Sequence, residues 1–222
     1  MLVAISVDYA ATGTGHMDRA PSRICLAREG GVVFDSLVMV PNLFDAMEVY
    51  TDITTETLRC ATDTAEDVKS AVHALLSPDD VIVGTSMHRT TRVLGLVHGV
   101  HFSRVVDLVE RTRTWNARFG HWNYYSLPKI AHVCGVDAPS TARARAECAI
   151  LVHDMLVVDS DAARVRSQLQ SKQYARQFPP VITAKPETSV CTHAYNVDLC
   201  FCGQPTLSDH RAKVAQARTE AS

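Results

Sequence analysis

Three apolar, β-branched runs fall within the first forty residues, and they constrain the fold more than any other feature of the chain. Residues 1–7, 23–28 and 32–40 each read as strands, and Glu29-Gly30-Gly31 joins the last two. Glycine pairs between such runs signal a hairpin, because a tight turn needs positive φ. Pro41 closes the third run. Later segments must cover this meander, and they alternate helix with strand. Residues 64–76 put Val68, Ala71, Val72 and Leu75 at helical spacing before a Ser77-Pro78-Asp79-Asp80 turn. Val81-Ile82-Val83-Gly84 is a short buried strand, 90–97 a helix and 102–108 another strand. Residues 126–133 and 142–157 are helical, with Ala146, Ala149, Ile150, His153 and Leu156 on one face of the second. The pattern predicts an α/β domain with a mixed sheet flanked by helices over 1–161. Residues 12–21 are expected to be an exposed loop. A basic C-terminal extension occupies 162–222, with a polar, helix-compatible stretch at 164–178.

Composition narrows the function classes. With 222 residues, 46% hydrophobic and 21% charged, the chain can bury a core, which excludes collagen-like and disordered classes. Net charge is −2, yet residues 164–222 hold eight Lys/Arg against four Asp/Glu. Contact with nucleic acid must therefore come from local patches or the tail. The cysteine count is odd, seven, and Cys25, Cys60, Cys134 and Cys148 stand singly among apolar neighbours. That fits reduced thiols in an intracellular protein of the cytosol or nucleus. No apolar run reaches the ~18–20 residues of a membrane span, and no cleavable signal is evident. Gly13-Thr14-Gly15 is too short for a phosphate loop, so no nucleotide cofactor is expected.

Several phrases, in order over residues 2–157, resemble the RNA exonuclease branch of the DEDDh 3′–5′ exonucleases, which have an RNase H-like fold. Val3-Ala4-Ile5-Ser6-Val7-Asp8 is similar to the family's Asp-x-Glu strand. Residues 27–41 resemble its hairpin, and Val49-Tyr50-Thr51-Asp52-Ile53-Thr54 its tyrosine-containing turn. Ile82-Val83-Gly84-Thr85-Ser86-Met87-His88-Arg89-Thr90 and the residues to Leu96 resemble its Val-Gly-His-x-x-x-x-Asp stretch. Val105-Val106-Asp107 resembles a strand ending in Asp-Thr, and Ser126-Leu127-Pro128-Lys129-Ile130-Ala131 a Ser-Leu helix.

The resemblance implies two divalent Mg²⁺ or Mn²⁺ ions held by four acids, with a histidine five residues before the last acid as general base. Here Ser6 stands at the first acid, Asp8 at the second and Thr90 at the third. The histidine position falls at or near Pro139 and the last acid at or near Ala144. Two divalent ions bring +4 of charge, and a single carboxylate beside neutral hydroxyls does not offset it. Pro139 itself cannot take a proton from water, as the histidine at this position would. The expectation is a catalytically inactive exonuclease-like protein that has lost the two-metal site.

Two further constellations stand out. Arg111, Arg113, Trp115, Arg118 and Trp122 crowd the loop before the Ser-Leu helix; they could stack unpaired bases and grip phosphates, or pack the loop onto the core. In the tail, Cys191, His193, Cys200 and Cys202 could supply four tetrahedral ligands to structural zinc, forming a small element at 190–210, or be incidental. His88 and His153 read as structural. The expected role is an RNA- or protein-binding component of a ribonucleoprotein or RNA-processing assembly. An active metal-dependent 3′–5′ RNA exonuclease with a non-standard site and a purely structural subunit are the alternatives.

Overall fold

The chain is described here from a computed structural model, which covers residues 1–13, 18–48, 50–118, 120–137 and 139–171. Strand β1 (Leu2–Ala11) lies at the centre of a five-stranded sheet, burying Val3 and Ile5 on one face and Ala4 and Ala10 on the other. On one side it pairs antiparallel with β2 (Arg19–Arg28), which pairs antiparallel with β3 (Gly31–Leu37). On the other it pairs parallel with β4 (Val81–Gly84), and β4 pairs parallel with β5 (Arg104–Asp107). The order β3-β2-β1-β4-β5 is the expected mixed sheet.

Helices cover both faces. After a short α1 (Thr55–Arg59), α2 (Ala65–Leu75) and α3 (Met87–Leu94) bury Val68, Val72, Met87 and Leu94 against Val3, Ile5, Ile24 and Ile82. Fully burying side chains of this size is worth roughly 1.5–3 kcal/mol each. Thr64 and Asp67 cap α2 reciprocally, side chain to backbone in both directions. The opposite face packs Ala4, Cys25 and Ala27 against α5 (Leu127–Cys134), α6 (Ala142–Met155) and α7 (Asp159–Leu169), with α4 (Leu108–Thr112) at the edge. Small residues on β1, β2 and α6 let the long helix lie close to the sheet. Gly84 is needed where β4 turns into α3: a Cβ there would sit 2.7 Å from both the Ile5 carbonyl oxygen and Met87 Sδ.

Some segments depart from expectation. Arg19, Ala20 and Pro21 are strand rather than loop, because β1 runs on to Ala11 and pairs with them. Pro21, which has no N–H, is tolerated opposite Tyr9 at a bulge, as Ser22 intervenes before Arg23 meets Asp8. Helix α3 begins at Met87, three residues early, and stops at Gly95 in the left-handed conformation. Helix α7 spans residue 161 and sends Ala162, Val165 and Leu169 into the α5–α6 core. Among the described residues, no helix is long and apolar enough to cross a membrane.

Candidate functional site at the end of β1

Side chains alternate along a strand, so Ser6 and Asp8 share a face with the buried Ala4 and point toward α6. Thr141 caps α6 by accepting from the Ala144 N–H at 3.1 Å, which sets the first turn against this strand end. The residue that meets Ser6 and Asp8 is Arg145. Its Nη2 donates to Asp8 Oδ1 in a short charge-assisted bond, and its Nε donates to Ser6 Oγ at 3.4 Å. The Ser140 carbonyl accepts from Nη1 at 3.4 Å. Asp8 is 5% exposed, so the pair is closed to bulk water on the carboxylate side.

Neighbouring charges complete a balanced network. Arg23, directly across from Asp8 on β2, makes a two-pronged bond to Asp35 at 2.7 Å for both prongs, and reaches Asp52 at 3.0 Å. Arg143 stands 3.8 Å from Asp35. Three carboxylates thus face three guanidinium groups. Burial pushes the Asp8 carboxyl above the usual range; Arg145 pulls the other way, Asp52 pushes it further up, and Arg23 opposes. Desolvation wins, and Asp8 Oδ2 has no hydrogen-bond partner among the described residues.

The other positions compared with acids contribute little. Thr90 is buried on α3 and makes no hydrogen bond to Ser6 or Asp8. Pro139 and Ala144 flank the start of α6 and bring no polar side chain. Asp107, at the end of β5, accepts with its carboxylate from the Met87 N–H at 2.7 Å and the Val109 N–H at 3.0 Å. It ties down the starts of α3 and α4. At the compared positions the chain offers one carboxylate, Asp8, and two neutral hydroxyls, Ser6 and Thr90. Asp8 is already paired with Arg145, and the neighbouring Asp35 and Asp52 with Arg23.

No protein-family model matches the chain. Over 99 residues, 44% of this chain, it is 38% identical to RNA exonuclease 5 of Homo sapiens and equally to that of Macaca fascicularis. The match spans 12% of the length of those relatives. The backbone superposes on the Saccharomyces cerevisiae apo Pan2 pseudoubiquitin hydrolase–RNA exonuclease module with a TM-score of 0.62, at 18% identity, over 79% of this chain and 32% of that one. The Neurospora crassa Pan2 catalytic unit superposes with a TM-score of 0.55, at 13% identity, over 77% of this chain and 30% of that one. The chain has the RNase H-like fold of the exonuclease modules on which it superposes.

Within this fold, the sequence carries one local signal for Arg145. It lies three residues after Ala142 and four before Ala149, both buried, so it sits on the inward stripe of α6. An arginine on such a stripe needs a buried acid, and Asp8 is that acid. His88 is exposed on α3, and His153 lies 3.1 Å from Asp154 on α6.

The arginine–tryptophan loop forms a separate feature, a small hairpin of β6 (Thr114–Asn116) and β7 (His121–Asn123). Trp115 and Trp122 pair across it edge to face, with ring centroids 5.3 Å apart. The Arg113 guanidinium lies 4.4 Å above the Trp122 ring and pairs with Glu110. The indoles stay in solvent, 50% and 38% exposed, rather than plugging the core. Arg111 is held for structure. It donates to the Leu156 carbonyl at 2.7 Å, the Val157 carbonyl at 3.1 Å and Asp159 at 3.0 Å, joining the end of α6 to the start of α7. Arg118 is exposed between the two strands. Cys191, His193, Cys200 and Cys202 lie outside the described residues, and among the described residues no three His, Cys, Asp or Glu side chains gather as metal ligands.

Proposed function

We propose that this chain is an exonuclease-fold protein that holds RNA without hydrolysing it, as part of a larger RNA-processing assembly. The observation that carries the reading is Arg145 on Asp8 and Ser6. A cationic side chain stands where catalysis by this fold would need divalent ions, and it comes from the helix expected to supply the last acid. Binding metal there would require Arg145 to leave a carboxylate that is 5% exposed, and breaking such a buried pair costs about 3–5 kcal/mol. A water in the site would also lack a base, since neither Pro139 nor Ala144 can accept its proton.

RNA as the partner is supported by the names of the relatives. The matched mammalian proteins are RNA exonucleases, and a Saccharomyces cerevisiae Pan2 module superposing with a TM-score of 0.60 is in complex with AACCAA RNA. Protein subunits of the assembly and zinc bound by Cys191, His193, Cys200 and Cys202 belong to the same proposal. The test uses 5′-labelled single-stranded RNA with the full chain and Mg²⁺ or Mn²⁺, read on native and denaturing gels. Retarded RNA of undiminished length is expected. Progressive shortening from the 3′ end that disappears in Asp8→Ala would establish an active exonuclease instead. Neither retardation nor shortening would leave a structural subunit.

A further inference from the structure

The β6–β7 hairpin and α7 together wall a pocket of about 400 Å³, lined by Glu110, Arg113, Trp115, Trp122, Arg166 and Gln170. Arg111 forms part of its wall and bonds the Leu156 carbonyl at the far end of α6 from Arg145. Eleven residues of helix rise separate the two, about 17 Å along the axis. The pocket is therefore distinct from the Ser6–Asp8–Arg145 site.

Its chemistry is specific. Arg113 is matched by Glu110, and Arg111 by Asp159. Arg166 has no acidic partner among the described residues; it gives one N–H to the Arg111 carbonyl at 3.0 Å, and its other donors remain available. Two half-exposed indoles offer flat aromatic surface beside that unmatched cation, and Gln170 adds an amide with both donor and acceptor. Aromatic faces accept any nucleobase by stacking, and a guanidinium accepts phosphate in a two-pronged geometry.

Resting on the reading that the chain holds RNA, we infer that this pocket takes one unstacked nucleotide of a single-stranded RNA. The base lies on Trp115, its phosphate faces Arg166, and Gln170 meets the base edge. An anionic strand fits a lining of three arginines and one glutamate better than a neutral peptide does.

The test exploits the chain's two tryptophans, both of which line this pocket. Fluorescein-labelled single-stranded RNA is titrated with the full chain, following RNA anisotropy and tryptophan emission together. Both signals should give the same midpoint. Trp115→Ala should weaken binding about tenfold while Trp115→Phe retains most of it, as expected for stacking. Arg166→Ala should lower the salt slope by about 0.7, the loss of one phosphate contact to a single strand. Because Trp115 is half exposed, circular dichroism of its variants should be unchanged. An anisotropy rise with silent tryptophans and unaltered affinity in Trp115→Ala would place RNA elsewhere on the chain, overturning the pocket and sparing the proposed function. No anisotropy change at all would overturn both and point to a protein as occupant.

Discussion

Removing Arg145 should destabilise the chain in a pH-dependent way. Arg145→Ala leaves Asp8 as a charge without its closest partner, 5% exposed, with Arg23 committed to Asp35 and Asp52. Losing one member of a fully buried pair costs about 3–5 kcal/mol, and Arg145, one-fifth exposed, puts this case near the lower end, about 3 kcal/mol at pH 8. Burial already holds the Asp8 carboxyl above its ordinary 3.8, and deleting Arg145 removes the main influence opposing that rise. In the variant, the folded state then binds a proton more tightly than the unfolded state. Its stability therefore falls as pH rises from 3.8 through the raised folded value, and stays low beyond it. The gap to the unmodified chain should be widest at pH 8 and narrower at pH 5. The paired variant Asp8→Asn, Arg145→Met removes both charges and should lie within about 1 kcal/mol of the unmodified chain. Urea unfolding followed by circular dichroism at both pH values measures all three. A loss below about 1 kcal/mol for Arg145→Ala, equal at pH 5 and pH 8, would refute the reasoning.

Two other outcomes follow from particular side chains. Asp80, 1% exposed, accepts from Arg28 at 3.1 Å and the Ser77 N–H at 3.0 Å, so Asp80→Ala should cost about 3 kcal/mol in the same unfolding assay. Burial pushes the Cys25 thiol up to about 12 and that of Cys148 to about 11, whereas Cys60 is exposed. Alkylation at pH 8 mapped by mass spectrometry should label Cys60 and spare Cys25 and Cys148 until denaturant is added.

What the sequence revealed tracks how local each determinant is. Strand β4 was legible at its observed bounds, since Val81-Ile82-Val83 is a buried apolar run closed by a glycine. Helix α3 was misplaced by three residues because its start rests on a distant group: Asp107 of β5 binds the Met87 N–H, and Ser86 takes positive φ. The β6–β7 hairpin was invisible. Its strands are three residues long, and its tryptophans are exposed, so neither alternation nor burial marks them. Ser6 and Asp8 can be picked out by their order along β1. Arg145 depends on the rotation of α6 against β1, 137 residues from Asp8, and only its place on the apolar stripe hinted at it.

The central claim is that Arg145, and not a metal ion, balances Asp8. Titration of the chain with Mn²⁺, followed by electron paramagnetic resonance, tests it directly. The unmodified chain should show no bound Mn²⁺ that depends on Asp8, so its spectrum and that of Asp8→Ala should match at every concentration. One or two tightly held Mn²⁺ ions in the unmodified chain, absent from Asp8→Ala, would contradict the account.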